Sequence, residues 1–201
     1  MPIANIRIIP EKNGSFMAMI RQAIPDDACQ VAPLFILSMG HIAGIFANSD
    51  RYEDAIPFFE QFFREKNNQY SYVNTLVFEE ETKILGSVTG YDGALLHQLR
   101  QPVLDQIRKT QPAFTPGDET EAGEYYLDCI QVHSGHQGKG IGKKMIDAFC
   151  EKAKLLGYFR VGLIVDLINP QAKKFYENIG FQLSGEKYFM GHRYFHMVKE
   201  I

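Results

Sequence analysis

The chain has 201 residues, 45% of them hydrophobic and 22% charged, with a formal net charge of −3. That length suits one domain, or two only if both are small; the composition excludes a disordered chain, and the mildly acidic balance speaks against nucleic acid as a partner. No apolar run approaches the ~20 residues that span a bilayer. The N-terminus carries Arg7, Glu11 and Lys12 where a signal peptide would be apolar, and Cys29, Cys129 and Cys150 form no paired motif. The expectation is a cytoplasmic protein with no membrane partner, no metal site and small buried thiols.

In chain order, residues 3–9 read as a short strand broken by Pro10 to Gly14, and residues 1–18 as an N-terminal extension to a domain spanning 19–201. Phe16 to Ile24 reads as the first core strand. Pro25-Asp26-Asp27 suits a first helical turn, and Ala28, Val31, Leu34 and Phe35 recur at helical spacing. Pro33 inside that pattern predicts a kink or early break, and the glycine-punctuated stretch after it a bent helix. Residues 51–66 carry an aromatic helical stripe, read first as core and second as a substrate-pocket wall. Tyr72 to Glu79 and Ile84 to Tyr91 form a hairpin, its second strand weakened by Gly86 and Gly90.

His97 to Lys109 predicts a helix and Thr110 to Gly123 a long loop, which in a compact domain is often functional. Glu124 to Val132 is a strand whose alternation sets Tyr126, Asp128, Ile130 and Val132 against Tyr125, Leu127, Cys129 and Gln131. Helix 141–156 puts Ile141, Met145, Ile146, Phe149, Cys150, Ala153 and Leu156 on its apolar side and ends at Gly157. Phe159 to Val165 is a strand parallel to its predecessor and covered on both faces. Asn169-Pro170 opens a short helix that Gly180 ends, and strands near 181–189 and 193–199 close the chain. The order describes an α+β fold on one central mixed sheet.

Between strand and helix lies Gln137-Gly138-Lys139-Gly140-Ile141-Gly142. Glycines let backbone N–H groups converge on a ligand, and a following helix adds the positive end of its dipole, which together suit a pyrophosphate. The spacing is GxGxG followed by Lys143, which misses the dinucleotide pattern GxGxxG. A Walker loop fails too: Gln137 stands where its first glycine belongs, and Lys144 where Ser or Thr is required.

The turn resembles the acetyl-CoA loop of the GNAT superfamily of N-acetyltransferases, [Gln/Arg]-x-x-Gly-x-[Gly/Ala], matched by Gln137, Gly140 and Gly142. A second family pattern, Asn-x-x-Ala-x-x-x-Tyr-x-x-x-Gly-Phe, is met by Asn169, Ala172, Tyr176, Gly180 and Phe181. Ile20-Arg21-Gln22-Ala23 with Asp27 resembles the family's opening strand and helix. The resemblance covers roughly 19–198 and implies a central mixed, mostly antiparallel sheet flanked by helices, acetyl-CoA as co-substrate and a primary amine as acceptor. Homodimers are common in such proteins.

The resemblance also implies roles. Ile130, Gln131 and Val132 match the strand that pairs with the pantetheine arm, with a backbone N–H near Val132 as oxyanion donor beside a strand bulge. Gln137, Gly138, Lys139, Gly140, Ile141 and Gly142 would hold the pyrophosphate, and Asn169 would contact the cofactor as well as cap its helix. Tyr176 would be the general acid for the CoA thiolate, and Asp128 the general base or a substrate contact, ahead of Glu124, Asp92 and His133. Two alternatives stand beside an acetyltransferase: an acyltransferase using a longer acyl-CoA, and a non-catalytic CoA-binding regulatory module. The acceptor pocket is expected from helix 51–66, segment 92–123 and the final hairpin.

Overall fold

A computed structural model describes residues 8–9 and 18–201, with side chains from Ala18 onward. One sheet runs through the chain in the order β1-β2-β3-β4-β5-β6-β8-β7. The strands are β1 (Ile8–Ile9), β2 (Ala18–Gln22), β3 (Thr75–Glu80), β4 (Lys83–Asp92), β5 (Tyr125–Val132), β6 (Arg160–Asp166), β7 (Gln182–Phe189) and β8 (His192–Glu200). Every neighbouring pair is antiparallel except β5 with β6, which are parallel and joined by a helix, as that connection requires. Of the expected strand 3–9, Ile8 and Ile9 pair with Met19 and Ala18; the rest of it, and Phe16 and Met17 of the next strand, lie outside the described residues.

Among the described residues six α-helices flank the sheet: α1 (Ala28–Met39), α2 (His41–Ala47), α3 (Ile56–Arg64), α4 (Leu96–Ile107), α5 (Ile141–Leu155) and α6 (Pro170–Asn178). The entry to α1 is fixed by Arg21, whose guanidinium holds both carboxylate oxygens of Asp27 at 2.7 and 2.8 Å and reaches Glu79 on β3 at 2.5 Å. Asp27 in turn accepts the Ile24 amide at 2.8 Å. Pro33 does not break α1. The break falls at Gly40, whose φ of 51° and ψ of −121° suit a residue without a Cβ, and α2 leaves there bent by 118° from the preceding helix. No single described helix is long and apolar enough to cross a membrane.

Two cores result. On one face of the sheet, α5 buries Met145, Ile146 and Phe149 against Leu76, Val88 and Leu163. On the other, α1 and α3 pack Phe35, Phe59 and Phe63 with Tyr70 and Val77. The α3 stripe is therefore core. Gly86 and Gly90 have a packing reason: a Cβ at Gly90 would strike Tyr126 O and the Phe149 ring, and one at Gly86 would stand 2.9 Å from Met145 Sδ. The residues that weaken β4 as a strand let α5 lie close on it.

Three packing expectations are corrected. Leu156 and Phe159, placed in the core by pattern, are 46% and 78% exposed because α5 ends at Leu155 and β6 begins at Arg160. Cys29 is exposed, whereas Cys129 and Cys150 are buried free thiols. The strict alternation along β5 also fails. Thr89 pairs with Cys129 and Gly90 with Leu127, leaving Asp128 as an extra residue. Past this bulge the faces exchange: Tyr125 and Leu127 join the α5 core, Cys129 joins the α1 core, and Ile130 and Val132 return to α5.

Candidate active site

The bulge lies where the sheet opens. β5 and β6 pair only at Tyr125–Val161 and Tyr126–Gly162, then part. His133 donates its amide to Leu85 O at 2.8 Å, and ladder bonds recur at every second residue. Cys129 and Gln131 thus spend their amides on β4, while those of Ile130 and Val132 point into the gap. Gln131 is not brought to the gap by its side chain either; that amide donates to Ser87 on the far face.

A cavity of about 550 Å³ fills the cleft below the parting. Asp128, Cys129 and Ile130 line one side and Leu163 to Asp166 the other, with Asn169 and Tyr176 from α6 at one end. The opposite wall comes from the α1–α2 junction, Leu37 to Ile42 with Phe46, and from Gln69, Tyr70, Glu119, Phe189 and Tyr194. Helix α3, the 51–66 stripe, contributes nothing to it. The long segment and the final hairpin do, as expected. His41, on that wall, meets the tilted ring of His192 at 5.5 Å.

The glycine turn sits at the other end of β5. Gly138 and Gly140 have φ of 76° and 79°, and a Cβ at either would meet no atom within 4 Å. Backbone conformation, not crowding, calls for glycine here, and the same open side leaves room for a ligand. Gly140 caps α5, so the amides of Ile141 and Gly142 begin a fifteen-residue helix at its positive end. Gln137 closes the turn by donating to Val132 O at 3.1 Å. Lys139 is exposed beside it, whereas Lys143 is taken by Asp147 at 2.7 Å. These features fit a pyrophosphate followed by a pantetheine arm along Val132 and Ile130.

Asn169 Oδ1 accepts the Ala172 amide at 3.0 Å, which fixes the start of α6. That orientation turns Tyr176 inward, against Phe181 at 5.6 Å, and leaves Phe175 39% exposed. Burial, and then the neighbouring Cys129, raise the Tyr176 phenol above its ordinary range, so it is a proton-bearing donor at neutral pH.

Asp128 faces the cavity, touched by the Gln69 amide at 3.4 Å. Desolvation first, then the nearby Glu119, push its carboxyl up to about 7, against the opposing pull of Arg100, Gln69 and Tyr91. A carboxylate of that proton affinity can accept a proton near neutrality. The weaker candidates lie elsewhere. Glu124 reaches over Gly162, where any Cβ would strike its carboxylate, to bond His196 at 2.9 Å. Asp92 caps Ala94 at 3.0 Å, and His133 is on the exposed turn. Sequence reasoning missed Gln69, Tyr70, Tyr91 and Glu119, which no motif marks; the length of the 92–123 segment was the one available signal.

A family model described as the acetyltransferase (GNAT) family matches residues 39–181, and the chain belongs to that family. A solved structure described as an acetyltransferase superposes with a TM-score of 0.76 at 29% identity, over 91% of this chain and 99% of that one. An N-acetyltransferase from Staphylococcus aureus Mu50 gives 0.75 at 23% identity over 90% and 99%, a likeness of fold. The spermine/spermidine N(1)-acetyltransferase of Bacillus subtilis strain 168 is 35% identical over 85 residues, which is 42% of this chain and 55% of that protein. The match thus spans about half the length of that curated relative.

Proposed function

We propose that the protein is an N-acetyltransferase that moves the acetyl group of acetyl-CoA to a primary alkylamine by direct attack. The observation that carries this is the opening between β5 and β6 at the Asp128 bulge. It aims two free strand amides, a proton acceptor and a proton donor into one cavity that adjoins a glycine-capped helix.

The chemistry follows from these groups. Asp128 takes a proton from the acceptor's ammonium, leaving a neutral nitrogen lone pair. That nitrogen attacks the thioester carbonyl and the N–C bond forms; as the C–S bond breaks, the nitrogen releases its second proton to water, from which Tyr176 is reprotonated. The amide of Ile130 or Val132 stabilises the oxyanion as charge develops on it. Tyr176 donates a hydrogen bond and then a proton to the departing thiolate. Strands that part only past Tyr126 hold both reactants in one cleft, which replaces a bimolecular encounter by a positioned one.

The acceptor wall supports a cationic, slender amine. Asp128 and Glu119 line it, and Gln69 Oε1 is buried without a hydrogen-bond partner. A short aliphatic polyamine, the acceptor class in the name of the Bacillus relative, is the first to try. The test is calorimetric titration with acetyl-CoA and CoA, then thiol release with an amine panel. Binding at one site per chain with turnover of an alkylamine is expected. Absence of binding by both CoA species would sink the reading. Binding without turnover of any amine would leave a CoA-binding module instead.

A further inference from the structure

Segment 108–124 has no counterpart in either sequence motif, yet it places a buried carboxylate in the cavity. Glu119 is 2% exposed and pairs with Arg100 of α4, itself 5% exposed. Arg100 also bonds Gly117 O at 3.0 Å and Asp118 at 3.3 Å, and its guanidinium lies over the Phe189 ring at 5.9 Å. The next residue is pinned as well: Thr120 Oγ1 donates to Gly93 O at 2.7 Å. An ion pair this buried is a poor way to gain stability, since apolar residues of the same volume usually serve as well. Its position against the cavity floor suggests a different use.

We propose that Glu119, held by Arg100, is a positioning residue that acts on acetyl transfer through Asp128. Asp128 and Glu119 line the same cavity, with the Arg100 guanidinium paired to Glu119 behind it, and this arrangement sets the pH at which the acceptor amine gives up its proton. This rests on the reading of Asp128 as the base. Like charges in one low-dielectric site resist joint ionisation, and a single cation between them can offset only part of that. Glu119 is the largest charged contribution raising Asp128, and Arg100 the first that lowers it. The groups facing Asp128 are few. Arg100 comes from α4, Glu119 from the segment with Asp118 acting on it from the surface, Tyr91 from β4, and Tyr126 and Cys129 from β5 itself. Gln69 and Tyr70 come from the turn before β3. Across the cavity stand His41, Asp166, Tyr176 and Tyr194. Arg100 is the one Lys or Arg among the described residues of this set.

The deciding experiment is a pH titration of protein carrying ¹³C-carboxyl aspartate, read by NMR. The Asp128 signal is identified by its loss in Asp128→Asn. Glu119→Gln keeps the shape and one hydrogen bond to Arg100 while removing the charge; it should lower the Asp128 midpoint by roughly 0.5–1 pH unit. Arg100→Met should raise it. The acid limb of kcat, measured with whichever alkylamine turns over, should move the same way. A midpoint unmoved in a Glu119→Gln protein of unchanged thermal stability would overturn the proposal, and so would a moved midpoint with an unmoved rate limb. Glu119→Gln suffices if Arg100→Met fails to fold. Wild-type protein that binds no CoA would instead remove the acetyltransferase reading, which the NMR titration does not depend on.

Discussion

The two ends of the cleft are built in opposite ways. The proposed donor end is local: six consecutive residues, 137–142, supply a turn with two left-handed glycines and the first amides of α5. The acceptor end is assembled from the α1–α2 junction, residues 69–70, Glu119 and the β7–β8 hairpin, which are far apart in the chain. A phosphate needs backbone amides in one conformation, and a short sequence can specify that. An amine pocket needs charge and shape converging from several elements, and each can change separately. The contrast gives one reason why a fold of this kind keeps its donor while its acceptor varies.

Substitutions at the two ends should therefore separate. Asp128→Asn belongs to the acceptor end, and kcat should fall by ~10²–10³ with acetyl-CoA affinity nearly unchanged. Stability should move the other way. The folded carboxyl is raised from 3.8 to about 7, so the stability it contributes is present below about pH 4 and lost as pH rises through 7. The variant should melt higher than wild type at pH 8 but not at pH 4, as read by scanning calorimetry. A wild-type rate profile would clear Asp128 of the base role.

Gly140→Val attacks the donor end. A β-branched residue at φ 79° strains the cap of α5 by ~1–2 kcal/mol and crowds the amides. Acetyl-CoA affinity should drop about 10–100-fold in calorimetry, with the KM for the amine little altered. A coupled loss at both ends would break the comparison. Tyr176→Phe touches both in the proposed mechanism, since Tyr176 lines the cavity and is the proposed acid for the thiolate; kcat should fall ~10-fold with donor affinity kept, the cost of one hydrogen bond to a developing charge.

The smallest effect belongs to neither end. Lys152 on α5 is 3% exposed, bonds Gln22 Oε1 at 3.1 Å, and is lowered by burial to about 8. Between pH 8 and its unfolded value of 10.5 the unfolded chain binds more protons, so stability should rise across that window. Lys152→Met should abolish the rise and add on the order of 1 kcal/mol at pH 7 in urea unfolding, with kcat and KM unchanged.

The donor end was legible because its physics is sequential. Glycines at fixed spacing, an Asn-Pro helix start and a glycine helix stop each act on their neighbours, and all appear in the structure as the pattern implies. Of the two breaks expected around α1, the one at Pro33 does not occur, and the one in the glycine-punctuated stretch falls at Gly40, whose positive φ suits a residue without a Cβ. The β5 bulge left no local trace. It is set by where β4 and β6 hold the strand, and one extra residue there turned Asp128 toward the cavity and reversed every face beyond it.

By itself, then, the sequence determined the order of elements, the class of sheet and a glycine turn that caps α5, because each rests on residues within a turn or two of one another. Tertiary structure alone decided where the sheet parts, that Glu119 and Arg100 stand behind Asp128, and which walls face the acceptor. Those properties depend on separations of many tens of residues, and on burial, which no local pattern carries.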